Sequence, residues 1–248
     1  MARVEGKICI VTGAASGLGA ADARRLAEEG ATVVLTDIDA ARGQTVADSI
    51  PRAVFLRHDV TDESGWAALV AEVDTRFGRL DVLVNNAGLV RFASIEDATL
   101  EDYRLHQRVM SEGTFLGCKH AIPLLARSGG GSIINVSSVA ALKGIGVIPA
   151  YSAAKGAILA LSRSVAVHCQ EKGYRIRCNA IVPGAHDTPM TAAALSNLPA
   201  GEAGLAQIEA QGQGKPEDVA NLVLFLASDE SRQITGTHFV IDNGETMK

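Results

Sequence analysis

The stretch KICIVTGAASGLGAADARRLAEEG, Lys7–Gly30, decides the fold. Its first six residues, Lys7–Thr12, form a short apolar run that reads as a buried strand. Glycines follow at Gly13, Gly17 and Gly19, with Ser16 and Leu18 among them. From Leu18 the spacing is helical, and Gly30 stands where a helix favours glycine just past its end. A strand, a glycine turn and a helix in that order put exposed backbone N–H groups and the positive helix end at one point. That point can hold a pyrophosphate. Glycine alone would mark only a tight turn; the strand before it and the helix after it make it a binding motif.

The same alternation runs through the chain. Strand-like runs recur at Ala31–Asp37, Ala53–Val60, Leu80–Gly88, Gly131–Ser138, Tyr174–Gly184 and Gly236–Gly244, with helix-like segments between most of them. Apolar runs of this length separated by helices predict seven parallel strands covered on both faces, an α/β doubly wound sheet. Pro216, Glu217 and Asp218 suit the first turn of the last helix. No linker or repeat divides the 248 residues, so one domain, 1–248, is expected. The one long segment of weak pattern, Pro189–Lys215, is expected to be a lid over the substrate, with Leu195, Leu198 and Leu205 on its apolar side.

Composition narrows the partners. A formal net charge of -5 without a basic cluster argues against nucleic acid. No apolar run reaches the roughly 18–20 residues of a membrane span. No signal-peptide pattern opens the chain, and a cytoplasmic location is expected. Cys9, Cys118, Cys169 and Cys178 form no C-x-x-C pair and read as reduced, buried thiols. The six histidines lack metal-ligand spacing, so no metal is expected.

Several strand ends carry candidate site residues. Asp37, closing the second strand, can accept hydrogen bonds from both hydroxyls of an adenosine ribose and would repel a 2′-phosphate. It therefore favours NAD over NADP. Asp59 and Val60 after the third strand are candidates for contact with adenine, although Asp59 could instead serve helix capping. Asn85, Asn86, Ala87 and Gly88 follow the fourth strand; the amides can bridge backbone groups, and the small pair leaves room for a ribose. Tyr151 and Lys155 stand four apart and share a helix face. A phenol is a poor base at neutral pH, and a nearby ammonium lowers its pKa. Ser138, ending the fifth strand, could stabilise a carbonyl oxygen or alkoxide. Ser137 is expected to point to the opposite side.

With TGAASGLG, Asp37, NNAG, Ser138, YSAAK, and Pro183–Gly184 followed by Thr188–Pro189–Met190, the chain resembles the short-chain dehydrogenase/reductase family over essentially its whole length. The resemblance implies a Rossmann-like sheet and hydride transfer between a nicotinamide and a carbinol carbon. It assigns Tyr151 as catalytic acid/base, Ser138 to orient the substrate oxygen, and Lys155 to lower the tyrosine pKa and bind the nicotinamide ribose. It places Thr188 at the carboxamide and implies homotetramers, with helices at Tyr103–Arg127 and Tyr151–Gln170 in one interface.

Two positions depart from the family pattern. Met110, in VMSEGTFLG, stands where the family commonly has an Asn that supports a water chain from the lysine; a thioether is only a weak acceptor. His186, in PGAHDTPM, replaces an aliphatic residue and is expected to face either the substrate or solvent, with solvent favoured. FLRHDV, SEGTFLGC and LVLFLASDES are similar to bacterial 3β/17β-hydroxysteroid dehydrogenases. The expected activity is NAD-dependent interconversion of a secondary alcohol and a ketone on a bulky apolar or cyclic substrate, hydroxysteroids first. The alternatives are a catalytically quiet NAD-binding or scaffold protein, and a 3-oxoacyl reductase, which Asp37 disfavours.

Overall fold

The structure, a computed structural model, describes residues 2–197 and 212–247. Seven parallel strands form one sheet: β1 Ile8–Thr12, β2 Thr32–Asp37, β3 Ala53–Arg57, β4 Val82–Asn85, β5 Gly131–Val136, β6 Ile176–Pro183 and β7 His238–Ile241. Their order is β3-β2-β1-β4-β5-β6-β7. The winding reverses between β1 and β4, which opens a crevice at the carboxyl ends of those two strands.

Eight α-helices connect them among the described residues: α1 Gly17–Glu28, α2 Ala40–Asp48, α3 Glu63–Phe77, α4 Leu100–His106, α5 Gly113–Arg127, α6 Pro149–Glu171, α7 Pro189–Asn197 and α8 Pro216–Ala227. Side chains alternate across the strands and fill two cores. Cys9, Val11, Val33 and Leu35 pack with Leu26 of α1 and Val223 of α8 on one face. Ile8, Ile10 and Val34 pack with Trp66 of α3 and Leu124 of α5 on the other.

Local chemistry sets the boundaries. Asp39, Asp62 and Thr99 cap their helices by accepting from the N–H groups of Arg42, Ser64 and Asp102. Pro149 and Pro216 each open a helix, where a missing N–H costs nothing. Between α4 and α5 the chain makes a π-helical turn, Gln107–Glu112, rather than continuing as one α-helix. Single π turns concentrate at functional sites, and this one holds Met110, which is fully buried.

Some strands are shorter than the apolar runs suggested. β3 stops at Arg57, so Asp59 and Val60 lie in the following loop, and β4 stops at Asn85. Gly30 lies just beyond α1 with φ +96°, a backbone conformation that glycine adopts without strain. The stems of the 189–215 segment are closed by a bridge between His186 and Gly214, with Asp187 N–H donating to the Gly214 carbonyl and Gly214 N–H to that of Ala185. Leu198 and Leu205 lie outside the described residues.

Candidate active site

The crevice at the carboxyl ends of the strands is one cavity of about 310 Å³. It gathers most of the residues singled out in the sequence: Gly13, Ser16, Gly17, Leu18, Asp37, Asn86, Gly88, Ser138, Tyr151, Lys155, Pro183, Gly184 and Thr188. Gly19, Asp59, Val60 and Ala87 do not line it.

The glycine turn fits a dinucleotide phosphate. Ser16 is the N-cap of α1, yet its side chain makes no capping hydrogen bond. The first N–H groups of α1 therefore keep their donor capacity for an anion. Gly13 has φ +64°, and a β-carbon there would come within 2.7 Å of the Ala87 backbone. Gly19 is buried, and a β-carbon would run into the Gly13 carbonyl oxygen. Gly19 thus packs the turn together. The Asn86 amide donates to the carbonyls of Thr12 at 2.9 Å and Gly13 at 3.2 Å, and the Thr12 hydroxyl accepts from the N–H groups of Asn86 and Ala87. Thr188, against Gly17, accepts from Thr191 N–H as the first-turn cap of α7.

Asp37 closes β2 at the cavity edge. One carboxylate oxygen accepts from Ala15 N–H and the other from Asp39 N–H, each at 3.0 Å. Each oxygen retains acceptor capacity for a ribose hydroxyl. Asp59 accepts from the N–H and hydroxyl of Thr61 and is exposed, while Val60 is buried and its carbonyl accepts from the Trp66 indole at 3.0 Å. These two residues organise the loop after β3.

Tyr151 sits in the first turn of α6 and Lys155 one turn on. The Ser138 hydroxyl hydrogen-bonds the Tyr151 phenol. Burial pushes the phenol pKa up, and the Ser138 bond pulls it down. The Lys155 amine is buried, and burial brings its own pKa down to about 7. It donates to the Val136 carbonyl at 2.7 Å and meets no carboxylate there. An amine stripped of water without a counter-charge loses its preference for the charged form. Ser137 does point away from Ser138: its hydroxyl donates to the Lys155 carbonyl at 2.8 Å, tying β5 to α6.

Met110 reaches this corner. A β-carbon placed on Gly88 would lie 3.5 Å from the Met110 sulfur and 3.6 Å from the Lys155 amine. Met110 also packs with Ala154 and Ile158 of α6. The position expected to carry a water-bridging amide is thus an apolar wall. His186 takes the less favoured of its two expected directions: it is 4% exposed and lines the cavity rather than turning to solvent. Its Nδ1 donates to the Gly184 carbonyl, and its ring packs against Gly214, where a β-carbon would be 2.7 Å away. The Gly214 partner lies 28 residues downstream, which no local pattern discloses. Val136 and Thr191 also line the cavity, and neither stands in a motif of the sequence. Val136 acts through its carbonyl, for which side-chain chemistry carries no signal.

Comparison with known proteins agrees with the geometry. A family model described as enoyl-(acyl carrier protein) reductase matches residues 13–246. The chain is 41% identical to a 3-beta-hydroxysteroid dehydrogenase of Comamonas testosteroni, over 97% of this chain and 96% of that one. It is 38% identical to an NADP-dependent (R)-specific alcohol dehydrogenase of Lentilactobacillus kefiri, over 99% of each. A Burkholderia xenovorans protein assigned to the short-chain dehydrogenases/reductases superposes with a TM-score of 0.94 at 32% identity, covering 100% of this chain and 99% of that one. An uncapped glycine turn at a strand crossover, a serine–tyrosine–lysine corner and full-length likeness agree: the chain belongs to the short-chain dehydrogenase/reductase family.

Proposed function

We propose that the protein is an NAD-dependent dehydrogenase that interconverts a secondary alcohol and a ketone on a bulky apolar or cyclic substrate, hydroxysteroids first. One observation carries the reading: the Ser138 hydroxyl, the Tyr151 phenol and the Lys155 amine border the same cavity as the glycine turn. The similarity to a hydroxysteroid dehydrogenase supports the substrate class. Asp37 supports NAD, because a carboxylate at that strand end repels a 2′-phosphate.

In this reading the glycine turn and α1 hold the pyrophosphate, Asp37 the adenosine ribose, and Lys155 the nicotinamide ribose, with Gly88, Pro183, Gly184 and Thr188 around the ring. A bound oxidised nicotinamide supplies the acceptor for the hydride leaving the carbinol carbon. The Tyr151 phenolate would take the proton of the substrate hydroxyl, and the phenol would return it in the reverse direction. The Ser138 hydroxyl, already bonded to the phenol, shares the substrate oxygen and holds it for that transfer. Loss of the proton from Tyr151 to solvent passes the Lys155 corner, where Met110 offers no strong acceptor.

We further propose that the Pro189–Lys215 segment closes over the substrate and that the chain forms homotetramers. Exposed Phe115 on α5 and Val167 on α6 support an interface on those helices. No helix among the described residues is long and apolar enough to cross a membrane; a cytoplasmic site of action is part of the proposal. The competing reading, a dinucleotide-binding protein without turnover, draws on Met110. A panel of cyclic secondary alcohols, linear alcohols and polyols, each with NAD and with NADP, separates the two by absorbance of the reduced nicotinamide. Turnover of cyclic alcohols with NAD is expected. Dinucleotide binding with no turnover of any alcohol would sink the dehydrogenase reading.

A further inference from the structure

One buried imidazole near the site has no part in the chemistry above. His106, the last residue of α4, is fully buried, and its ring lies edge-on to Tyr151 with centroids 6.4 Å apart. Both ring nitrogens have backbone partners. Nδ1 is 2.7 Å from the Asp102 carbonyl oxygen, which can only accept. Nε2 is 3.1 Å from the Arg91 backbone nitrogen, which can only donate. The two partners fix the Nδ1–H tautomer and leave Nε2 as an acceptor. Arg91 is held a second time, since its guanidinium donates to the Asp102 carboxylate at 2.6 Å.

Arg91 stands three residues after Gly88, the residue that faces the Lys155 amine and Met110. Two residues further on, Ala93 N–H donates to the Val147 carbonyl at 2.9 Å, in the loop that leads into α6 and Tyr151. The backbone between Gly88 and Ala93 thus spans from the lysine corner to the approach of the tyrosine helix. It has no strand partner of its own. Its anchors to the rest of the chain include the Val147 carbonyl, the Asp102 carboxylate and the His106 ring.

We infer that His106 is a positioning residue: by accepting from Arg91 N–H it fixes the Leu89–Ala93 backbone, which runs from Gly88 at the cavity to the approach of the Tyr151 helix, and so shapes the entrance for the substrate. The inference rests on the dehydrogenase reading for its kinetic consequence but not for its structural one. Arg91 itself is exposed and its bond to the buried His106 ring is partly buried, so an N–H that loses this acceptor exchanges a fixed protein partner for water and the segment loosens. The dinucleotide half of the cavity, built by β1, β2 and α1, is untouched.

Three variants separate the acceptor from the ring. His106→Leu removes both. His106→Phe keeps an aromatic ring beside Tyr151 but no acceptor. His106→Gln offers an acceptor oxygen at about the reach of Nε2. Hydrogen exchange of the 88–93 backbone, read by mass spectrometry, is expected to speed up about tenfold in the Leu and Phe variants and to return toward wild type in the Gln variant. With a cyclic alcohol that wild type oxidises, KM is expected to rise about fivefold in Leu and Phe. In both, kcat should stay within about twofold and the Kd for NADH should not change. Equal exchange in wild type and the Leu variant overturns the inference, as does an equal KM rise in Gln and Leu. A fall in kcat without a rise in KM does so too. If wild type oxidises no alcohol, the dehydrogenase reading fails, and the exchange data still decide the role of His106.

Discussion

The Lys155 amine lies 5.6 Å from the centre of the Tyr151 ring and donates to the Val136 carbonyl, not to the phenol. The two groups are one helical turn apart, yet the amine is spent on a backbone acceptor in a buried corner of the cavity. Its influence on the tyrosine therefore depends on what enters the cavity. Tyr151→Phe should lower turnover by about a hundredfold or more, the usual weight of a positioned acid/base, while the Kd for NADH changes little. Steady-state rates with any accepted alcohol check this, and full activity in the Phe variant would remove Tyr151 from the chemistry.

Lys155 ties stability to pH. Burial brings the amine down to about 7 in the folded chain, against 10.5 for an ordinary lysine. Between those values the unfolded chain holds a proton that the folded chain has released. Unfolding free energy from this group therefore rises with pH across that window, and its full penalty is present below about 7. Lys155→Met carries no such proton. The stability advantage of the Met variant over wild type is expected to be largest near pH 6–7 and to shrink toward pH 10. Urea unfolding of both proteins at several pH values measures it, and a pH-independent difference would contradict a depressed lysine.

Met110 closes the lysine corner with a thioether. Met110→Asn introduces an amide that can bridge water to the amine, and kcat is expected to rise if proton release limits turnover. The amide enters a fully buried site, so stability should fall by about 1–3 kcal/mol. Rates taken well below the melting temperature, together with a solvent isotope effect, distinguish the two consequences. An unchanged kcat in the folded variant rejects the idea that the thioether slows the relay.

Asp37→Ser is expected to reduce kcat/KM for NAD about tenfold or more and to raise it for NADP, because the repelling carboxylate is gone. Asp37 also accepts from Ala15 and Asp39 N–H, so a modest loss of stability should accompany the switch. Parallel assays with both dinucleotides check the ratio. A ratio that stays fixed would mean that another group selects the cofactor.

Gly214→Ala tests the clasp at the base of the 189–215 segment. Its β-carbon would stand 2.7 Å from the buried His186 ring, which is pinned to the Gly184 carbonyl and has little room to give way. We expect a loss of about 1–3 kcal/mol in stability and a higher KM for the alcohol, read by melting and by steady-state kinetics. Unaltered melting would show that the imidazole can move aside.

What the sequence determined was local and periodic. Apolar runs of five or six residues separated by helices specify parallel strands, since only strands covered on both faces can bury every residue. The glycine turn, Asp37, Ser138 and the Tyr151–Lys155 pair were legible because each stands at a strand end or at helical spacing. Residues whose partners lie far along the chain were not legible. His186 against Gly214, His106 against Arg91, and Met110 against Ala154 and Ile158 are set by packing between elements, and no local pattern encodes them. The electrostatics of Lys155 belongs with these. Spacing put the amine near the phenol, but the Val136 carbonyl and the surrounding burial decided its charge, because desolvation depends on everything that packs around a group and not on its neighbours in sequence.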